Sequence, residues 1–342
     1  MTRGWPWGDN RPTPLRRFAL AVVVATMAAA VIVYRFVTEP TYYGDFSLVW
    51  FGARSLLQGI SPYPLVGPGL TFELDYSLLY PATAFVAAMP LAALPQAAAV
   101  TAFVWISTAL LVYGMTADSW HRLPILVSLT FLFNVTAAQW TILMTAAVFI
   151  PALCFFVLAK PQTGMPVVAS ASSPRAWIAL AAGCLVLGAV SLLLLPSWPR
   201  EWLALLSERS GHMRPPILRL GGPLIALVLI KWRRREAWLV FTMACVPQTW
   251  DWYNALPLLT IAATYREAYL LSLVSTIGGF IAAYLAMTIH SQNELLRLGG
   301  ATMVLFAYLP AVIAVLRQST ETEMPWWLSY LQRRSKRTTT PQ

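Results

Sequence analysis

Charge is scarce in this sequence. Of 342 residues only 24 are Lys or Arg and 14 are Asp or Glu, which makes 11% of the chain charged, against about 25% in a soluble domain. With a mean hydropathy of +0.62, that shortfall is too large for a soluble fold with a big core. Cysteine is scarce too. Cys154, Cys184 and Cys245 all lie in apolar runs without ligand spacing, which excludes a disulfide framework and predicts packing roles. There are three histidines and no cluster of metal-ligand residues. The sequence also lacks a glycine-rich phosphate loop and a Ser-His-Asp order. These gaps argue against a nucleotide-sugar domain and predict no bound cofactor, with a divalent metal left open.

What is abundant is apolar sequence, at 58% of the chain. Residues 18–33 contain one polar residue, Thr26, and residues 176–195 contain one serine. Runs near ~20 residues cross a bilayer. The net charge of +10 sits in short clusters between these runs: Arg16-Arg17, Lys231 with Arg233–Arg235, and Arg333-Arg334 with Lys336-Arg337. That distribution is the positive-inside pattern, with contacts to anionic membrane lipids, and not a nucleic-acid surface.

The expected fold class is all-α, a multi-pass membrane protein of about ten spans. These are read at 17–37, 97–116, 123–135, 141–158, 176–195, 216–230, 237–248, 255–265, 268–289 and 299–316. The expected organisation is a cytoplasmic tail (1–16), a membrane domain (17–316) with outer loops at 38–95 and 196–215, and a basic cytoplasmic tail (317–342). Three basic clusters and an even span count agree in placing both termini in the cytoplasm. The loop at 38–95 then faces outward, carrying Glu39, Asp45, Glu73 and Asp75 against Arg54 alone. Ala169–Pro174 reads as a small polar linker and Thr338–Gln342 as a disordered end.

Chemistry concentrates in the outer loops. Asp45 opens an amphipathic helix in which Phe46, Val49, Trp50, Ala53 and Leu57 recur at helical spacing, stopped by Gly59 and Pro62. This helix is expected to lie in the outer interface. Asp45 is either its N-cap or a general base, since a carboxylate beside hydrocarbon is costly and suggests function. Tyr63 and Tyr80 are either interfacial anchors or site residues. Residues 199–210 read as a second interfacial helix with Trp202. His212 and Arg214 follow it as candidate phosphate donors or headgroup contacts. Asp251, between Trp250 and Trp252, suits either sugar hydroxyls or a plain interfacial turn. Asn134-Val135-Thr136 matches a glycosylation sequon but sits too close to the membrane to serve as one.

The order of these motifs carries a resemblance. Asp45, then Gly52-x-x-x-Leu56-Leu57-x-Gly59, Pro62-Tyr63, Tyr80-Pro81 and Pro90-Leu91-x-x-Leu94-Pro95 resemble the N-terminal region of glycosyltransferase family 87, polyprenyl-phosphate-dependent mannosyltransferase-like bacterial proteins of the GT-C fold. Ala138-Gln139-Trp140 resembles a Gly-Gln motif, Lys160-Pro161-Gln162 a Lys-Pro-Gln motif, and Trp250-Asp251-Trp252-Tyr253 a Trp-Asp-x-Tyr segment. The resemblance covers residues 42–259. The sequence departs from it at Ala82, where a second proline is usual, and at Ala138, where glycine is.

The resemblance implies a membrane glycosyltransferase (hexosyl- or pentosyl-, mannose-like) of the bacterial inner membrane and cell envelope. Its partners would be a polyprenyl-phosphate sugar and a lipid or glycan acceptor. It makes Asp45 the counterpart of the catalytic acid. Arg54, Tyr63, Asp75, Tyr80, Gln139, His212, Arg214, Trp250, Asp251 and Tyr253 are the candidate donor- and acceptor-binding residues. Lys160, by span counting, falls on the cytoplasmic side, away from Asp45: either it is positive-inside charge, or a span is missing near it and a boundary is wrong. The alternatives are a non-catalytic envelope-assembly subunit and a transporter of lipid-linked glycan. A transporter would be expected to show inverted repeats and midplane charges, and the sequence shows neither.

Overall fold

The computed structural model describes residues 11–39, 44–67, 69–73, 78–208, 213–249, 251–319 and 323–338. These form helices throughout, with two isolated β-bridges. Five segments are long and apolar enough to cross a membrane: Pro14–Thr38, Gln96–Met115, Pro174–Leu194, Tyr265–Thr288 and Asn293–Arg317. The protein is therefore a helical membrane protein. The five are what length and composition support; the other expected spans are shorter elements.

The chain path is readable from its contacts. Helix α1 (Pro14–Thr38) starts after Pro12-Thr13, whose threonine side chain caps it. Helix α2 (Asp45–Leu57) turns back over its end and stops at Gly59, whose φ of +73° suits glycine. The helix does not lie free in an interface as its pattern suggests. Phe46, Leu48, Val49, Ala53 and Leu56 are buried, and Gly52 presses its backbone on Phe85 so closely that a Cβ there would stand 2.6 Å from the ring. The partner is α3 (Ala82–Ala92), a short apolar helix inside the expected outer loop. Helix α4 (Gln96–Met115) then runs antiparallel to α1. Trp105 Nε1 donates to Thr26 Oγ1 midway, and Arg17 donates to the Tyr113 carbonyl at the far end.

From that far end the 3₁₀ segment Leu123–Val127 and α5 (Leu129–Thr136) return to the α2 end, where Asp45 N–H donates to the Ala137 carbonyl. Helix α6 (Thr141–Ala146) departs again and delivers Phe149 and Ile150 beside Gly114. The expected single span at 141–158 is thus broken. The 3₁₀ segment Pro151–Ala159 comes back to the α2 end, where Thr83 donates to the Leu158 carbonyl. Helix α7 (Pro161–Ser170) leaves once more. Two extra passages are inserted here, which leaves the parity of the path unchanged.

Helix α8 (Pro174–Leu194) leads to α9 (Trp198–Glu208), a surface helix with no buried residue. It is tied down by Trp202 donating to the Leu79 carbonyl and Ser61 donating to Glu201. The 3₁₀ segment Gly222–Lys231, α10 (Arg235–Cys245), α11 (Leu256–Leu259), α12 (Tyr265–Thr288), α13 (Gln292–Met303) and α14 (Leu309–Arg317) complete the bundle.

The far end is closed by polar ties. Gln318 donates to the Ile261 carbonyl and to Glu267 while accepting from buried Arg234, and Lys231 donates to the Gln318 carbonyl. Helix α15 (Trp326–Thr338) packs at this end, with Trp327 donating to the Ala169 carbonyl. A helix thus occupies much of the expected tail. Cys154 is a buried core residue, but Cys184 and Cys245 are exposed on helix faces, contrary to the packing expectation.

Candidate functional site

The α2 end gathers polar side chains from five separate segments. Asp45 is the first residue of α2. Gly44 takes the cap position, and no side-chain cap bond forms there, so the N-cap reading of Asp45 fails. Its carboxylate instead accepts the Tyr80 hydroxyl at 3.0 Å. Its place in the first helical turn also favours a negative charge. Tyr80 is held in turn by Tyr63, whose hydroxyl donates to the Tyr80 carbonyl at 3.1 Å. Tyr63 is buried, so it supports the site without entering it.

Gln139 owes its position to a strained turn. After α5 the chain passes through Ala138 at φ +48°, the left-handed region that favours glycine. Gln139 N–H closes back on the Asn134 carbonyl at 2.9 Å and Ala138 N–H on Val135 at 2.9 Å, a Schellman-type ending. The turn throws the Gln139 side chain into the interior, fully buried. There its Oε1 accepts Lys160 Nζ at 2.5 Å, and its amide faces Asp45. The departure at Ala138 is thus a glycine position filled by the next smallest residue. Asn134 is also fully buried, its side chain donating to Thr130 and Tyr253 carbonyls, so the sequon is no glycan acceptor.

Lys160 is the correction of most consequence. It is 2% exposed and lies at the α2 end, not on the opposite side. Its ammonium sits 4.6 Å from the Tyr253 ring centroid, a cation–π distance, and within electrostatic reach of Asp45 and Asp251. A solvated positive-inside charge is excluded by this burial. The expectation failed because the residues from 141 to 176 were counted as one span and a loop. Spread over ordinary helix they are too many for one passage, and that surplus was the available signal.

Tyr253 donates its hydroxyl to Asp251 at 3.0 Å. Burial pushes the Asp45 carboxyl above the usual carboxylate range, with Lys160, Gln139 and Tyr80 opposing the rise and Asp251 adding to it. Burial pushes the Lys160 ammonium down to about 8, with Asp45 and Asp251 opposing. Near Asp45 and Gln139 in sequence, Ser47 Oγ, Trp140 Nε1 and Thr141 Oγ1 are buried polar atoms without protein partners. Each such atom costs about 1–3 kcal/mol in a core that never meets a polar guest.

The remaining candidates fall elsewhere. Arg54 is exposed in the last turn of α2, over the Trp50 ring, away from Asp45. Arg214 is exposed and its backbone bridges to Gln248. Asp75, His212 and Trp250 lie outside the described residues. A cation absent from the sequence expectations, Arg219, reaches Asp251 electrostatically while donating to the Gln248 carbonyl. Among the described residues there is no group of ligands fit to hold a metal ion.

Fold and site together define a helical membrane protein with a half-buried carboxylate and a buried ammonium within electrostatic reach of each other at one end of its bundle. Set against known proteins, the chain matches no family model, no curated protein and no solved structure.

Proposed function

We propose that this protein is a membrane glycosyltransferase. It moves a mannose-like sugar from a polyprenyl-phosphate donor to a lipid or glycan acceptor, at the α2 end of the bundle and on the outer face of the membrane. The observation that carries this reading is the meeting of Asp45 with Lys160 across Gln139. A sugar on a lipid phosphate already has its leaving group. The acceptor oxygen attacks the anomeric carbon, the carbon–oxygen bond to phosphate breaks, and the acceptor's proton must go to a base. Asp45 is that base. The departing phosphate gains negative charge, and Lys160 is the cation positioned to offset it. His212 and Arg214 are the candidates for this role from sequence; Arg214 is exposed, whereas Lys160 is buried within reach of Asp45, which favours Lys160. Tyr80 and Gln139 hold the carboxylate in place. The family resemblance over residues 42–259 supports the same chemistry. The basic clusters at 231–235 and 333–337 support cytoplasmic termini.

The test is Asp45→Asn in the full chain, purified into nanodiscs and given labelled mannosyl-phosphoryl polyprenol with membrane lipid extract. Asn keeps an acceptor for Tyr80 but cannot take a proton. The expected result is a folded protein with transfer lowered by about 10²–10⁴-fold. Wild-type transfer by a folded Asp45→Asn protein refutes the base. No transfer by wild type with any polyprenyl-phosphate sugar favours a non-catalytic envelope subunit.

A further inference from the structure

A cleft of about 240 Å³ opens between α5 and α12. Phe133, Thr136, Ala282 and Ala283 form its walls, and Asp251 and Tyr253 its polar floor. At about 30 Å³ per water, it has the volume of roughly eight waters, the scale of a single sugar ring. Tyr253 lines it and stands between it and Lys160. The ring faces Lys160 on one side, while the hydroxyl reaches Asp251 on the other. One Asp251 oxygen takes that hydroxyl; the other, Oδ1, has no hydrogen-bond partner among the described residues.

The surface around the cleft is apolar and exposed, as a bilayer-facing surface is. On α12, Phe280 and Tyr284 are each 63% exposed and Met287 is 73% exposed. On α1, whose Arg35 holds the Thr136 carbonyl at the cleft edge, Tyr34 is 67% and Val37 76% exposed. The Asp251 carboxylate accepts hydroxyls, with the nearby charges of Arg35, Lys160 and Arg219 already opposite it, and the apolar lining suits an alkyl neck. Small residues at 282 and 283 leave the space open.

We infer that this cleft is the acceptor subsite, which admits from the bilayer a neutral polyol headgroup on an apolar neck and binds its hydroxyls through Asp251. The inference rests on the transferase reading and divides the site. The anionic donor belongs with Lys160, and the acceptor enters from the Asp251 side, with Tyr253 between them. The acceptor is then a glycolipid-like molecule and not a soluble sugar.

The probe is octyl α-mannoside, used as acceptor and, in a diazirine form, as a photolabel on the full chain in nanodiscs. The label is expected on peptides of α5 and α12, competed by the unmodified mannoside and suppressed in Ala283→Trp. With labelled mannosyl-phosphoryl polyprenol as donor, Asp251→Asn and Ala283→Trp are expected to raise the acceptor KM at least ten-fold, and by more than the donor KM. Labelling of wild type confined to other helices overturns the inference, as does an unchanged acceptor KM in Asp251→Asn. Cleft labelling in a wild type that neither transfers nor hydrolyses the donor upholds the polyol site and counts against the transferase reading instead.

Discussion

Ala138 offers a test of the site's geometry that needs no substrate. It holds φ +48° and is fully buried. An L-residue in the left-handed region gives up about 1–2 kcal/mol. Glycine at 138 recovers that strain and loses a buried methyl worth about 0.8 kcal/mol, so Ala138→Gly should be neutral or stabilising by up to about 1 kcal/mol. The control is Ala84→Gly, the same chemical change at a fully buried position inside α3. There glycine loses the methyl and about 1 kcal/mol of helix propensity, so it should destabilise by about 2 kcal/mol. The two variants should therefore lie about 2–3 kcal/mol apart in a reversible SDS unfolding titration of the full chain. Valine at 138, β-branched in the left-handed region, should be the worst of the series. Equal destabilisation by Ala138→Gly and Ala84→Gly would show that residue 138 is not left-handed, and the argument that this turn aims Gln139 at Lys160 would fall with it.

Three further outcomes are expected. Lys160→Met removes the hydrogen bond to Gln139 and the charge that opposes Asp45, and should destabilise the fold by about 1–3 kcal/mol; adding Asp45→Asn should restore part of the loss, and additive losses in that double-mutant cycle would deny that the two groups interact. Transfer should follow a bell in pH. It should fall on the acid side above the usual carboxylate range as Asp45, raised by burial, takes up its proton, and fall again near 8 as Lys160 loses its own. An acid limb at an ordinary carboxylate pH would count against a buried base. Glu73→Cys, at an exposed position between α2 and α3, should react with an impermeant maleimide from the outer face of intact cells, and labelling only after the membrane is opened would reverse the orientation.

The long helices were legible because an apolar run of twenty or more residues permits little else. The expected spans at 17–37, 97–116, 176–195 and 268–289 fall within three residues of Pro14–Thr38, Gln96–Met115, Pro174–Leu194 and Tyr265–Thr288 at either end. The short passages were not legible, and the reason is geometric. A 3₁₀ helix rises about 2.0 Å per residue against 1.5 Å in an α-helix. Pro151–Ala159 thus covers about 18 Å with nine residues, and a window set for α-helical spans reads through it. That one miss moved Lys160 to the wrong end. Of the candidates named from the sequence, Asp45, Tyr80, Gln139, Asp251 and Tyr253 stand within hydrogen-bond or electrostatic reach of one another, and single motifs in sequence order could name them but not show that they meet. Arg54 was misplaced because helical periodicity assigns a face but not a distance along the axis. It sits at the opposite end of α2 from Asp45.

The hairpin that carries Lys160 has a consequence for how the chain is made. Its limbs, Pro151–Ala159 and α7, are nine and ten residues long, well short of the ~20 that insert independently. They reach their place only by packing as a pair, with an ammonium at their turn. Gln139 has left the ribosome by then, so one partner for that charge is waiting. Tyr253 emerges only 93 residues after Lys160 (253 − 160), and it brings the aromatic face on which the ammonium finally rests. A nascent chain arrested before residue 251 would hold the lysine with half of its shell, so biosynthesis completes this centre late, when the third quarter of the polypeptide folds back onto the first half.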